Sequence, residues 1–231
     1  MKKRVALLTV LFLPILIYIY FALGVPKSFR APIFGPKKAI QVVDKNGNPK
    51  TDTLYWSIPE FTFPTLEGRT FNSKTLAGNL YIALFVHPDS MATTLRVFAE
   101  DIRLNRMSYN YARFIFFCIG DSTGMPLPNA PDFAKEMKLG IDTAHTVFLS
   151  PTAFDSIHNN IYFIADENRK KEPWATWSDA VLLDYKGRIR GYYNIRYAAE
   201  LKKMKEDVRF IKFRDEAVLT LEKSKVEQNK K

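Results

Sequence analysis

Apolar runs divide the middle of the chain into a regular series of predicted strands. Residues 80–86 (LYIALFV) and 112–120 (ARFIFFCIG) are nearly continuous apolar runs, which are typical of strands buried on both faces. Residues 144–149 (AHTVFL) predict a third strand. Residues 179–184 (DAVLLD) and 188–193 (RIRGYY) flank a short turn with a glycine, which predicts an antiparallel hairpin.

Apolar residues at helical spacing fill the intervals between these strands. One set predicts a helix from Ser90 to about Met107: Met91, Leu95, Phe98 and Ile102. A second set predicts a final helix from Tyr197 toward residue 226: Leu201, Met204, Val208 and Ile211. Shorter helices are predicted at 131–140, where a proline opens the segment, and at 151–163.

The residues before the first buried strand carry a different pattern. Residues 58–71 alternate apolar and polar around the turn 66–69, which predicts a hairpin. The preceding segment, 26–57, is interrupted by prolines and is predicted to be a linker. Within this linker a short hairpin would pair Ile40–Val43 with Thr53–Trp56.

The order of these elements predicts the fold class. A hairpin, then alternating strands and helices, then an antiparallel hairpin and a helix is the arrangement of an α/β thioredoxin-like fold. We therefore predict one thioredoxin-like domain at 58–213, followed by a charged tail at 214–231.

A long apolar segment precedes this domain. Residues 5–25 contain no charged side chain over 21 positions, which is the length of a membrane-spanning helix. Basic residues within 1–4 predict, by the positive-inside rule, a cytoplasmic N-terminus and a domain on the extracytoplasmic or periplasmic side of an inner membrane. Cleavage after Gly24 is the alternative to a retained single-pass anchor.

Charge and cysteine content narrow the function. The net charge of +10 comes from scattered Lys and Arg, with no basic stripe interleaved with aromatics, so no nucleic acid partner is expected. The single cysteine, Cys118, excludes an intrachain disulfide and a two-thiol redox cycle. Its position within an apolar strand indicates a buried structural residue, and the alternative is the thiol of a one-Cys peroxidase.

Residues 55–213 resemble the Sco/SenC family of membrane-anchored copper chaperones. The resemblance lies in four features: the anchor with its proline-rich linker, IPEFTFPTLEGRTFNSKTLAGNLYIALFV, FIFFCIGDS, and VLLDYKGRIRGYYN. It implies a thioredoxin-like fold facing the periplasm and a role in copper delivery to, or thiol maintenance of, cytochrome c oxidase. It also implies a copper site made of a C-P-x-x-C cysteine pair and a distal histidine.

The sequence departs from that site at every ligand. At the position of the cysteine pair it reads His87-Pro88-Asp89-Ser90-Met91, with the proline and the four-residue spacing kept; in another alignment the motif is deleted. Near the distal histidine position stand Trp174 and Trp177 instead.

These departures leave two candidate sites. Imidazole and thioether are acceptable Cu(I) ligands, so His87 and Met91 form a candidate weak copper site, although no cofactor is firmly expected. Trp174 and Trp177 are candidate partner contacts. His145 and His158 show no ligand spacing, and Asp121-Ser122 lacks the features of a hydrolase.

We therefore expect a non-enzymatic, membrane-anchored protein of Sco/SenC type without redox cysteines. It would be an interaction or assembly module, or an accessory subunit of a membrane complex related to respiratory cytochrome oxidase. The alternatives are a weak copper-binding chaperone that uses His87 and Met91, and a one-Cys thiol peroxidase.

Overall fold

A computed structural model describes residues 32–43, 47–65, 70–86, 91–128, 130, 133–139, 144–164 and 178–228 of the chain. The predicted membrane segment, 5–25, lies outside these residues. No helix within the described ranges combines the length and the apolar character needed to cross a membrane.

A five-stranded mixed sheet forms the centre of the domain. The strands of the described residues are β1 (Lys37–Val43), β2 (Pro49–Tyr55), β3 (Thr62–Pro64), β4 (Thr70–Asn72), β5 (Leu80–Val86), β6 (Ala112–Ile119), β7 (Ala144–Leu149), β8 (Ala180–Leu183) and β9 (Ile189–Tyr193). The central sheet has the order β7-β6-β5-β8-β9, with β5, β6 and β7 parallel and β8 and β9 antiparallel. The three predicted buried strands and the predicted closing hairpin are confirmed.

The helices follow the strands in the predicted order. They are α1 (Met91–Leu104), α2 (Arg106–Tyr109), α3 (Phe133–Glu136), α4 (Pro151–Ser156) and α5 (Ala198–Gln228). A 3₁₀ turn at Ser73–Leu76 precedes β5, and a π turn at Ile157–Ile161 continues α4. The helix predicted to reach Met107 is divided at Asn105, where φ is −118° and ψ is 31°.

The helix predicted at 131–140 is shorter than the sequence pattern indicates. It is described over Phe133–Glu136, and Lys138 then adopts a left-handed φ of 54°. That conformation ends an α-helix. The prediction of its end at Gly140 was therefore wrong.

The two faces of the sheet are covered by different elements. On one face α1 packs on β6, where the Phe98 ring lies 6.2 Å from that of Phe114. The final helix α5 packs on α1, where Lys205 Nζ lies 2.6 Å from Asp101 Oδ1. On the other face the Phe85 ring lies 5.7 Å from Phe154 of α4. All four apolar residues predicted for the inner face of the last helix are buried: Leu201, Met204, Val208 and Ile211.

The hairpin predicted at 58–71 is confirmed as β3 paired with β4. An isolated bridge between Thr65 and Val147 joins it to the edge strand β7. Phe61 beside it packs 5.9 Å from the Phe117 ring, which extends the core over this face.

The segment predicted as a linker is partly structured. Its hairpin pairs β1 with β2 so that Val43 lies opposite Pro49, rather than pairing Ile40–Val43 with Thr53–Trp56. The observed register closes a shorter loop, which costs less chain entropy. Most of this ribbon is exposed, but Trp56 after it donates to the Ile161 carbonyl at 3.2 Å and packs on Phe163.

Candidate functional site

The predicted metal-binding motif follows directly on a strand of the central sheet. Strand β5 ends at Val86, which lies beside Cys118 of β6, and α1 begins at Met91. The carboxyl ends of parallel strands meet at one edge of a sheet and are common sites of chemistry. We call this the carboxyl edge, the edge at which β5, β6 and β7 end. His87 lies outside the described residues, and for Met91 only the backbone is described.

Aromatic side chains surround the end of β5 on the face covered by α4. Phe85, two residues before His87, lies 5.1 Å from the rings of Phe117, Tyr162 and His158. His158 is half-buried, and its Nδ1 lies 2.9 Å from Asn159 Oδ1. His145, likewise half-buried, packs 5.0 Å from the Phe71 ring.

The polar loop after β6 is built by one aspartate. Asp121 Oδ1 accepts hydrogen bonds from Thr123 Oγ1 at 2.7 Å and from the backbone N–H of Met125 at 2.9 Å. The bonds from Thr123 and Met125 hold the pKa of Asp121 below its ordinary value. The Asp121 carboxylate therefore stabilises the turn that follows β6. This structural role is a different one from that of a hydrolase residue.

Cys118 lies in the core, as the sequence predicts. Its side chain is 2% exposed, and Sγ lies 4.0 Å from the Phe116 carbonyl oxygen. Burial raises the pKa of the thiol well above its ordinary value. A thiol is reactive as the thiolate and when exposed, so this environment disfavours nucleophilic or peroxidatic chemistry.

The candidate partner contacts are two tryptophans. Trp174 and Trp177 lie outside the described residues, between the π turn and β8. Within the described part of the chain, no group of three or more His, Cys, Asp or Glu side chains is arranged to hold a metal ion.

The closing hairpin carries a buried ionic cluster that sequence reasoning missed. The charged, alternating pattern of the closing hairpin predicts solvated side chains for Arg188 and Arg190. That prediction is wrong for Arg190, which is 3% exposed and has its Nη1 2.9 Å from Asp184 Oδ2. Arg188 binds the same oxygen at 2.7 Å. Burial alone would raise the pKa of Asp184, but the bonds from Arg188 and Arg190 outweigh it and lower this pKa. The sequence signal that could have indicated this cluster is the aspartate directly after β8, Asp184, followed by two arginines at alternate positions, Arg188 and Arg190.

A cleft opens at the opposite edge of the sheet. It has a volume of about 230 Å³ and lies between the 3₁₀ turn and the turn of the closing hairpin. Tyr81 lies in its wall, and Lys74 and Lys186 line it together with Glu60. Lys74 Nζ is 2.7 Å from Glu60 Oε2, so the cleft combines one ion pair with a further cation.

Solved structures share this fold. Protein-family models and curated proteins give no match to the chain. BsSco, a member of the Sco family of cytochrome c oxidase assembly proteins studied for a disulfide switch, superposes with a TM-score of 0.50 at 14% identity, over 66% of this chain and 93% of its own. A SCO1/SenC family lipoprotein from Bacillus anthracis str. Ames gives a TM-score of 0.50 at 15% identity, over 68% and 95%.

These similarities define the class of fold. At such low identity they show the fold alone, which is the mixed α/β thioredoxin-like fold of Sco proteins. The predicted resemblance to the Sco/SenC family is confirmed at this level, with a single cysteine in this chain.

Proposed function

We propose that this chain is a Sco/SenC-type protein that acts through binding rather than through thiol chemistry. It would be anchored by residues 5–25 with its domain outside the cytoplasm. It would serve as an assembly factor or accessory subunit of a membrane complex. Because BsSco is a cytochrome c oxidase assembly protein, a respiratory oxidase is the first complex to consider.

The observation that supports this proposal is that the single cysteine, Cys118, is buried within a thioredoxin-like fold. Thiol–disulfide exchange requires an accessible thiolate and a second thiol to resolve the mixed disulfide. The chain has one cysteine, and that cysteine is buried with a raised pKa. The strands, helices and closing hairpin of the thioredoxin-like fold are present all the same, which favours a surface function.

Crosslinking in native membranes tests the proposed role. The full chain is crosslinked in place, extracted in mild detergent and purified, and its adducts are identified by mass spectrometry. We expect one predominant membrane-protein complex. Purification of the chain alone, without any reproducible adduct, would count against the proposal.

A second candidate function is weak copper carriage by His87 and Met91. It is supported by the position of the motif between the end of β5 at Val86 and the start of α1 at Met91. Two neutral ligands would bind Cu(I) more weakly than a thiolate-containing site. Both residues are expected to be necessary, since neither ligand alone would hold the ion.

Copper titration separates this candidate from the first. The full chain is titrated with Cu(I) against a competing chelator, beside H87A and M91A, with H145A as the matched control because His145 packs on Phe71 in the domain. Stoichiometric binding lost in H87A and M91A but kept in H145A supports copper carriage. Absence of stoichiometric binding in the unsubstituted chain rejects it.

A further inference from the structure

The edge of the sheet opposite the carboxyl edge gathers several exposed features. We call it the amino edge, at which β5 and β6 begin side by side with Leu80 paired to Ala112. Strand β8 is antiparallel to β5, so its end at Leu183, opposite Tyr81, also lies there. The turn of the closing hairpin and the cleft beside Tyr81 belong to the same edge.

Large apolar side chains are exposed where the helices reach the amino edge. Met107 of α2 is 83% exposed and Phe213 of α5 is 61% exposed. Tyr111, one residue before β6, is 40% exposed, and its ring lies 6.2 Å from that of Phe213. Leu104, at the end of α1, is also exposed. Neighbouring exposed apolar residues of this size indicate an interaction surface.

The charges around these residues are mainly positive. Lys212 Nζ lies 5.5 Å above the Tyr111 ring, and Arg113 reaches the Thr75 carbonyl at 3.3 Å across the edge. Arg106 and Lys186 are exposed at the same edge. Three described acids toward this edge are already paired: Glu60 with Lys74, Glu100 with Arg103 and Asp101 with Lys205.

The first described residues of the domain lie at this edge. Arg190 Nε donates to the Pro32 carbonyl at 3.2 Å, and the Phe34 N–H donates to the carbonyl of Ile189, the first residue of β9. Between residue 25 and Pro32 stand six residues, which span at most about 20 Å when fully extended. The predicted span is therefore separated from Pro32 by only a short stretch of sequence.

We propose that the amino edge docks on the headgroups of an anionic membrane, with Met107, Tyr111 and Phe213 at the lipid interface and the surrounding cations on lipid phosphates. Exposed apolar and aromatic residues ringed by Lys and Arg fit such a surface. This inference rests on the anchor included in the proposed function. It orients the carboxyl edge, with the His87–Met91 motif, away from the bilayer.

Two methionines at opposite ends of β6 give a matched test. Met107 lies before the strand at the amino edge, and Met125, which is 55% exposed, follows it at the carboxyl edge. The full chains M107C and M125C are labelled with a fluorophore, which Cys118 escapes because it is buried. They are reconstituted in phosphatidylcholine vesicles with about 30% phosphatidylglycerol and a nitroxide-headgroup lipid.

The expected result is quenching of the M107C label at least about twofold greater than that of the M125C label. R106E combined with K186E should reduce this difference, because the pair reverses two cations of the edge. Equal quenching at both positions would overturn the inference. So would a difference that the charge reversals leave unchanged.

Flotation of the same vesicles at high salt distinguishes failure of the membrane anchor from failure of the docked amino edge. Chains that float without preferential M107C quenching retain the anchor but reject the docked edge. Chains that do not float reject the anchor, and the docked edge with it. A photocrosslinker at position 107 that captures a protein rather than lipid would also overturn the membrane assignment, in favour of a protein partner.

Discussion

At the scale of single residues, Asp184 holds the closing hairpin together. Its Oδ2 accepts bonds from Arg188 and Arg190, and its Oδ1 accepts from the backbone N–H groups of Lys186 and Arg188. Arg190 in turn holds the Pro32 carbonyl. One buried carboxylate therefore links the turn, the edge strand β9 and the first described residues of the domain.

Replacing Asp184 with Asn should destabilise the domain by about 3–5 kcal/mol, because the buried Arg190 loses its counter-charge. Urea unfolding followed by circular dichroism measures the change. D52N is the control, since Asp52 is exposed on β2 and should change stability by less than about 0.5 kcal/mol. Equal midpoints for D184N and the unsubstituted chain would contradict the assigned role.

The same cluster predicts an acid-dependent loss of stability. The pKa of Asp184 is lower in the folded domain than its ordinary value of about 3.9. Its stabilising effect is therefore complete above that value and is lost as the pH falls through the folded pKa. Unfolding measured from neutral to acid pH should show D184N approaching the unsubstituted chain at the acid end. A constant difference across the range would be inconsistent with this linkage.

The thiol of Cys118 should be unreactive in the folded protein. Its 2% exposure and raised pKa predict negligible reaction with a thiol reagent under native conditions and complete reaction in denaturing urea. Mass spectrometry of the modified chain reads out both states. Rapid native modification would revive the peroxidase alternative.

At the scale of elements, the final helix combines two regions with different roles. Met204 of α5 is fully buried, whereas Phe213 is largely exposed at the amino edge. The Tyr193 hydroxyl donates to Asp207 at 2.7 Å, and Lys205 bonds Asp101 at 2.6 Å, so the first half of α5 is fixed to β9 and α1.

Truncating the buried position should cost far more than truncating the exposed one. M204A is expected to destabilise the domain by about 2–5 kcal/mol, because it leaves a cavity between α5 and the sheet. F213A should change stability by less than about 1 kcal/mol. Urea unfolding of the two variants provides the comparison. A larger loss of stability in F213A than in M204A would show that Phe213 stabilises the fold, which is not expected of a residue exposed for docking.

Predictability from sequence differed between kinds of element. Continuous apolar runs predicted β5 and β6 because strands covered on both faces need apolar residues throughout. The end of α3 was missed because the left-handed backbone at Lys138 has no glycine or proline to signal it. The partner of Arg190 was missed because a buried charge pair depends on tertiary contacts that periodicity does not encode. The motif from His87 stays a prediction, since only its flanking strand and helix are described.

At the scale of the whole molecule, the chain keeps the thioredoxin-like fold of Sco proteins without a pair of thiols. Function attaches to sites on a fold rather than to the fold itself. In the described residues, exposed apolar side chains and basic residues lie together at the amino edge, and the single cysteine of the chain lies in the buried core. We therefore propose binding surfaces as the seat of function, and the carboxyl edge as the place of the candidate copper site.

The most direct test is capture of the membrane partner by the C118A chain beside the unsubstituted chain. Both full chains are crosslinked in native membranes after matching thermal unfolding shows that C118A is folded. We expect the same adducts in the same yield, because the proposed binding does not use the thiol. Loss of the complex in C118A, or the absence of any complex with the unsubstituted chain, would contradict it.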